Sequence, residues 1–354
     1  MSLISLVGVP SPRFYATLNI IRALTQLTLG EHIFIACNSF SALQSAFPSP
    51  QEREGRAVIL ASDYPNLEML DTFARVNAPL AICVEDFRAI AHFSVVSRDF
   101  DGVSAARFAS MALVNIEPLL ISPPRLSLIV DSSDINLAGF IQNLAALYRL
   151  PTNADTLEQV FAYIGMEGVG DYRLRDYLIK AITFPSHARE TLDRRNPLDN
   201  ELIDFLAPQY DNLIGRHRLR QLEWPAFALT RPETPDHLVG GPTDLTGPAR
   251  FLCYGPYFAL PSGDWKVEVE FEVADCLSEN VIGIDIFAGR IIAAVKAKLP
   301  AYGAFACDLW FTIDDPSRAV EVRMQLMTGA IEGEIAIRRL LFTRRTPDFG
   351  EANS

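Results

Sequence analysis

The chain has 354 residues, 49% of them hydrophobic and 21% charged, with a mean hydropathy of +0.15 and a net charge of −12. That length exceeds one ordinary core and predicts two domains, while the acidic balance argues against nucleic acid or an anionic membrane surface as partner. The longest apolar stretch, Met111 to Ile121, is broken by Asn115 and Glu117, so no transmembrane segment is expected, nor does the start read as a signal peptide. Five scattered cysteines (Cys37, Cys83, Cys253, Cys276, Cys307) show no C-x-x-C spacing. They read as free thiols of a cytoplasmic protein with no metal site.

Leu3 to Val9 reads as a strand, followed by a loop through Pro10 and Pro12 and a helix carrying Tyr15, Leu18, Ile21 and Leu24. The unit repeats: strands at 32–37, 57–61, 80–84 and 126–130 alternate with helices at 40–47, 66–75, two stretches reaching about 120, and 136–149. Ser62 or Asp63 is expected to cap the helix at 66–75, with Pro65 in its first turn. Apolar strands alternating with helices predict an α/β domain with a parallel sheet covered on both faces. Ligands of such sheets bind beyond the carboxyl ends of the strands.

Residues 1–151 resemble a P-loop sulfotransferase. In that family a strand leads into a loop of the form Pro-(Lys/Arg)-Ser-Gly-(Ser/Thr)-Thr, whose amides and cation hold the 5′-phosphosulfate of phosphoadenosine phosphosulfate. The matching segment here is Pro10-Ser11-Pro12-Arg13-Phe14-Tyr15-Ala16-Thr17, which lacks the glycine and adds a second proline. The resemblance assigns Ser11, Arg13 and Thr17 to the 5′-phosphate. The family's second signature is a strand ending in arginine, then a helix with a serine at the 3′-phosphate. Here Glu85 takes the arginine's position, and Ser94 or Ser97 matches the serine. Both nucleotide signatures are therefore degenerate, and no cofactor is expected unless sulfuryl transfer survives, in which case Asp63 or His92 would be the candidate base. The residues themselves also allow Asp63 as a helix cap, His92 as a packed helix residue and Gly8–Arg13 as an ordinary turn. Glu85-Asp86 after a strand also resembles a magnesium-holding strand end, but no G-x-x-x-x-G-K-[ST] motif accompanies it.

Residues 152–239 change to a helical, charge-rich texture, including a mixed-charge run at 189–195 and the basic cluster Arg216-His217-Arg218-Leu219-Arg220, and end in a Pro/Gly-rich connector. From 240 to 346 the pattern becomes alternating. Trp265, Val267, Val269, Phe271 and Val273 share one face of a strand, with Lys266, Glu268, Glu270 and Glu272 on the other. Further alternating runs at 281–288, 291–298, 305–313, 320–327 and 333–342, separated by turn residues, predict an antiparallel β-sandwich; residues 347–354 form a tail. The phrase Leu260-Pro261-Ser262-Gly263-Asp264-Trp265 and the strand Ile284-Asp285-Ile286-Phe287 resemble the galactose-binding-like jelly rolls of carbohydrate modules. That resemblance implies a saccharide surface built on aromatic rings. Tyr254, Tyr257, Trp265, Tyr302 and Trp310 are the candidate rings; of these, Tyr254, Tyr257 and Tyr302 are the ones assigned to the surface, while Trp265 and Trp310 are read first as core residues. No carboxylate pair reads as a glycosidase acid and base. The combined reading is a non-catalytic or weakly catalytic glycan-associated protein of bacterial polysaccharide production, with a glycan or a biosynthetic protein as partner. A glycan sulfotransferase and a purely structural interaction module are the alternatives.

Overall fold

A computed structural model describes residues 2–76, 78–181, 190–192, 196–232, 234–238 and 241–345. The tail, Gly240 and most of the mixed-charge run lie outside the described residues. The chain forms two compact units: residues 1–101, 115–195 and 213–217 make the first, and 102–114, 196–212 and 218–354 the second.

The first unit is built on β1 (Leu3–Gly8), β2 (His32–Ala36), β3 (Ala57–Ser62), β4 (Leu80–Cys83) and β5 (Ser127–Val130), in the order β2-β3-β1-β4-β5 and parallel throughout. Around them lie α1 (Pro12–Leu29), α2 (Phe40–Ala46), α3 (Leu67–Val76), α4 (Phe87–Arg98), the second half of α5 (Gly102–Ile121), α6 (Leu137–Tyr148), α7 (Ala154–Tyr163) and α8 (Leu174–Ala181). β1 is central and apolar, and its Ile4 and Leu6 are buried with Phe14, Ile20 and Leu24 of α1 and Phe140 and Leu144 of α6. Tyr148 closes this layer: its hydroxyl donates to the Ser5 carbonyl at 2.5 Å and accepts from the Ala81 amide at 3.2 Å. The cap of α3 differs from expectation. Asn66, not Ser62 or Asp63, accepts from the Met69 amide at 3.0 Å, and Pro65 precedes the cap.

β1 connects toward β2 and β3, whereas β4 connects outward to β5, so the order reverses between β1 and β4. The crevice beyond their carboxyl ends is where such a sheet places a ligand. The turn Gly8 to Arg13 and the Val84-Glu85-Asp86 corner form it.

The second unit contains α9 (Pro197–Tyr210), the first half of α5, β6 (Gln221–Pro225), the ribbon β7 (Thr230–Arg231) and β8 (Thr234–Leu238), and nine further strands: β9 (Thr243–Asp244), β10 (Arg250–Cys253), β11 (Pro256–Phe258), β12 (Gly263–Ala274), β13 (Val281–Phe287), β14 (Ile291–Lys298), β15 (Gly303–Ile313), β16 (Val320–Leu326) and β17 (Glu334–Arg344). One antiparallel sheet runs β10-β16-β13-β14, with β11 also on β16; the other runs β15-β12-β17-β6, with β9 also on β17. Their inward residues, among them Val267, Val269, Phe342, Ile284 and Val322, are buried, giving an α/β unit followed by an antiparallel sandwich. The segment read as helical connector thus supplies an edge strand: β6 pairs with β17 from Gln221↔Thr343 to Pro225↔Arg339. Ser110 of α5 accepts from the Ala259 amide and Tyr210 of α9 donates to the Ala259 carbonyl, anchoring the β11 corner. α5 is long and apolar enough to cross a bilayer, but about two thirds of it is buried within the protein, as for a core helix.

Candidate functional site

The crevice of the first unit is filled by the protein's own groups. α1 begins at Ser11, whose hydroxyl accepts from the Phe14 amide, with Pro12 in its first turn. Pro10 and Pro12 carry no amide proton. Val9, Phe14 and Tyr15 direct theirs to the Cys83 carbonyl, the Ser11 hydroxyl and the Ser11 carbonyl. Few amides remain to cradle a phosphate. The close approach is fixed by Gly8, where a Cβ would overlap the Cys83 carbonyl.

Arg13, the expected phosphate cation, is buried. Its Nη2 lies 2.7 Å from Glu85 Oε1 and 3.0 Å from Ser133 Oγ, and Nη1 donates to the Val84 carbonyl. Burial pushes the Glu85 carboxyl up to about 7, with the Arg13 guanidinium opposing that rise. Asp86, its neighbour, caps α4 through the Ala89 amide at 2.8 Å.

The remaining residues assigned by the nucleotide resemblance are also engaged internally. Thr17 is the exception: its hydroxyl is buried beside the Cys83 thiol without a hydrogen bond of normal geometry. Ser94 donates to the Ile90 carbonyl within α4, and Ser97 does the same to Phe93. Asp63 accepts from the Tyr15 hydroxyl at 2.6 Å and lies 3.7 Å from Arg98. His92 is half-buried on α4. Arg13 and Ser11 therefore meet at the crevice, but among the described residues no base is brought to an open phosphate cradle.

In the second unit the expected saccharide rings separate. Tyr254 and Tyr257 pack edge to face at 6.2 Å, and the Arg107 guanidinium covers Tyr257 at 4.6 Å. Tyr257 also bonds Glu321, and it adopts φ 71°, a left-handed conformation unusual for so bulky a residue. Both rings are half-buried, which leaves neither as an open platform. Tyr302 sits apart in the β14–β15 turn, exposed, its hydroxyl 2.8 Å from Asp275.

The tryptophans divide. Trp265 is fully buried as expected, with its indole N–H on the Pro261 carbonyl at 2.9 Å. Trp310 is not in the core: it is 61% exposed on the outer face of β15. Directly opposite it on β12 is Lys266, whose Nζ lies 3.2 Å from Asp308 and 3.4 Å from Glu268. Thr312, two residues along, donates to Asp264 at 2.7 Å. An exposed indole framed by fixed hydroxyl, amine and carboxylate groups can stack on the apolar face of a sugar while bonding its hydroxyls. The signal was the parity of β15, where Ala306, Asp308 and Thr312 mark the outward side that Trp310 shares.

No protein-family model matches this chain, and no curated protein matches it. Among solved structures, the chain is similar to a mouse sulfotransferase, SULT7A1, complexed with PAP, at 11% identity and TM-score 0.34, over 57% of this chain and 87% of that one. It is also similar to the xylan-binding module CBM15, at 15% identity and TM-score 0.27, over 36% of this chain and 97% of that one. The C-terminal CBM6 of the laminarinase LamC from Zobellia galactanivorans is similar at 13% identity and TM-score 0.22, over 35% and 99% of the two chains. Each likeness is one of fold.

Proposed function

We propose that this chain is a non-catalytic glycan-recognition protein, acting in bacterial polysaccharide production, whose sandwich carries the binding surface and whose α/β unit serves as a scaffold. The observation that carries the reading is Trp310, a large indole held in the open on a rigid sheet face among polar groups that are already ordered. A preorganised ring loses little conformational freedom on binding, which is where an exposed aromatic gains affinity. The closed crevice supports the non-catalytic half. Sulfuryl transfer needs a cationic clamp on the phosphosulfate, and Arg13, the arginine the resemblance assigns to it, is held by Glu85 inside the protein.

The test is a glycan array probed with the full chain and with Trp310→Ala, beside a calorimetric titration with adenosine 3′,5′-bisphosphate. Glycan binding lost in Trp310→Ala, with no nucleotide binding at millimolar concentration, is the expected result. Micromolar nucleotide binding abolished by Arg13→Ala would overturn the scaffold assignment in favour of a glycan sulfotransferase. Glycan binding unaffected by Trp310→Ala would move the surface elsewhere.

A further inference from the structure

The register of the outer sheet face specifies more than one ring. Trp310 pairs with Lys266, Lys266 with Thr343, and Thr343 with Gln221, so the four stand in one row across β15, β12, β17 and β6. Trp310, Thr343 and Gln221 are exposed and the Lys266 side chain is partly so. Strands are spaced roughly 4.8 Å apart, so the row is about 14 Å long. A stacking surface at one end is followed by an amine, a hydroxyl and an amide. One sugar ring covers only the first of these; contact with Gln221 needs a chain of several.

The charge around Trp310 restricts that chain further. Its nearest polar neighbours are Lys266, Asp308, Glu268, Asp264 and Thr312. The single ammonium is already shared between two carboxylates, and Asp308 raises its affinity for the proton it carries. Three carboxylates thus face one cation. Counting Arg345, whose amide bonds the Asp264 carbonyl, the balance is still acidic. Like charges brought together at an interface suppress the wrong partner, so a sulfate or uronate stacked on Trp310 would be repelled. Sugar hydroxyls or an amino group would instead find acceptors.

Resting on the glycan-recognition reading, we propose that the Trp310 row binds a short oligosaccharide, uncharged or amine-bearing and not anionic, laid across the strands. The experiment titrates the full chain with xylotetraose, chitosan tetrasaccharide and a sulfated galactan tetrasaccharide, together with the corresponding disaccharides. Xylotetraose or the chitosan fragment should bind, at least tenfold more weakly in Trp310→Ala and severalfold more weakly as the disaccharide. The sulfated ligand should bind at least tenfold more weakly than the better of these, with the gap narrowing in Asp308→Asn/Glu268→Gln. Sulfated ligand binding equally well or better through Trp310 would overturn the charge assignment and leave glycan recognition standing. Equal affinity for di- and tetrasaccharide would overturn the row. Binding of none of these while the array still shows a bound glycan would overturn the row alone, and no binding on the array either would overturn the glycan reading beneath it.

Discussion

Replacing Glu85 with glutamine tests the closed crevice through its pH dependence. Burial lifts the Glu85 carboxyl from its ordinary 4.5 to about 7, even with Arg13 Nη2 at 2.7 Å. The folded protein therefore holds this proton more tightly than the unfolded chain does. The stability it contributes is complete below about pH 4.5 and is lost as pH rises through about 7. Such a displacement corresponds to about 3 kcal/mol, or a factor of a few hundred in the opening equilibrium. Glutamine keeps the shape and the acceptor for Arg13 but cannot titrate, so the variant lacks this slope. Groups common to both proteins cancel in the difference. All three tryptophans lie in the second unit, so the assay is amide hydrogen exchange at β1 and β4, with both proteins compared at each pH. Relative to Glu85→Gln, the wild type should lose about 2–3 kcal/mol of protection between pH 5 and pH 8. A difference that stays flat, or one in which the wild type gains with rising pH, would mean that the pair is hydrated and that the crevice is open.

Two further outcomes follow from burial alone. Trp265→Ala should destabilise the sandwich by about 3–5 kcal/mol in urea titrations, whereas Trp310→Ala should change it by less than about 1 kcal/mol; equal losses would contradict their opposite facing. Tyr148→Phe removes the hydroxyl joining the Ser5 carbonyl and the Ala81 amide, and should cost the first unit about 1–3 kcal/mol, read from the same β1 and β4 amides.

The first unit was legible in sequence because its strands are continuous apolar runs. Leu3 to Val7 and Leu80 to Val84 have few polar interruptions, and only a sheet covered on both faces buries such runs. What sequence could not supply was pairing between distant residues. Arg13 and Glu85 are 72 positions apart, and Ser133 is 120 beyond Arg13. The sequence marked the loop Pro10–Thr17 and Glu85 as departures from the nucleotide signatures they resemble. That Arg13 and Glu85 pair with each other inside the crevice required the strand order β3-β1-β4. The strand Gln221–Pro225 was missed for a related reason. Five residues ending in proline, beside a basic helical texture, carry too little alternation to declare a strand. Their place comes from β17, which offers an open edge more than a hundred residues later.

The misplacement of Trp310 shows how a local rule can be overridden by a habit of composition. Leu309-Trp310-Phe311 is three large apolar residues in a row, and a tryptophan in such a run is naturally assigned to the core. Yet a strand cannot direct three successive side chains to one face. Phe305, Leu309, Phe311 and Ile313 share one parity and pack inward, while Ala306, Asp308 and Thr312 share the other. Trp310 belongs to the second set, so its exposure follows from its neighbours and not from its own hydrophobicity. Lys266 sits opposite it by the same logic applied to β12, whose outward set is Asp264, Lys266, Glu268, Glu270 and Glu272. Apolar area left in water on an otherwise charged face forgoes the stabilisation its burial would bring. The ring contributes less to the fold than a core indole would, and under the proposed function its open face, framed by Lys266, Asp308 and Thr312, is the stacking surface.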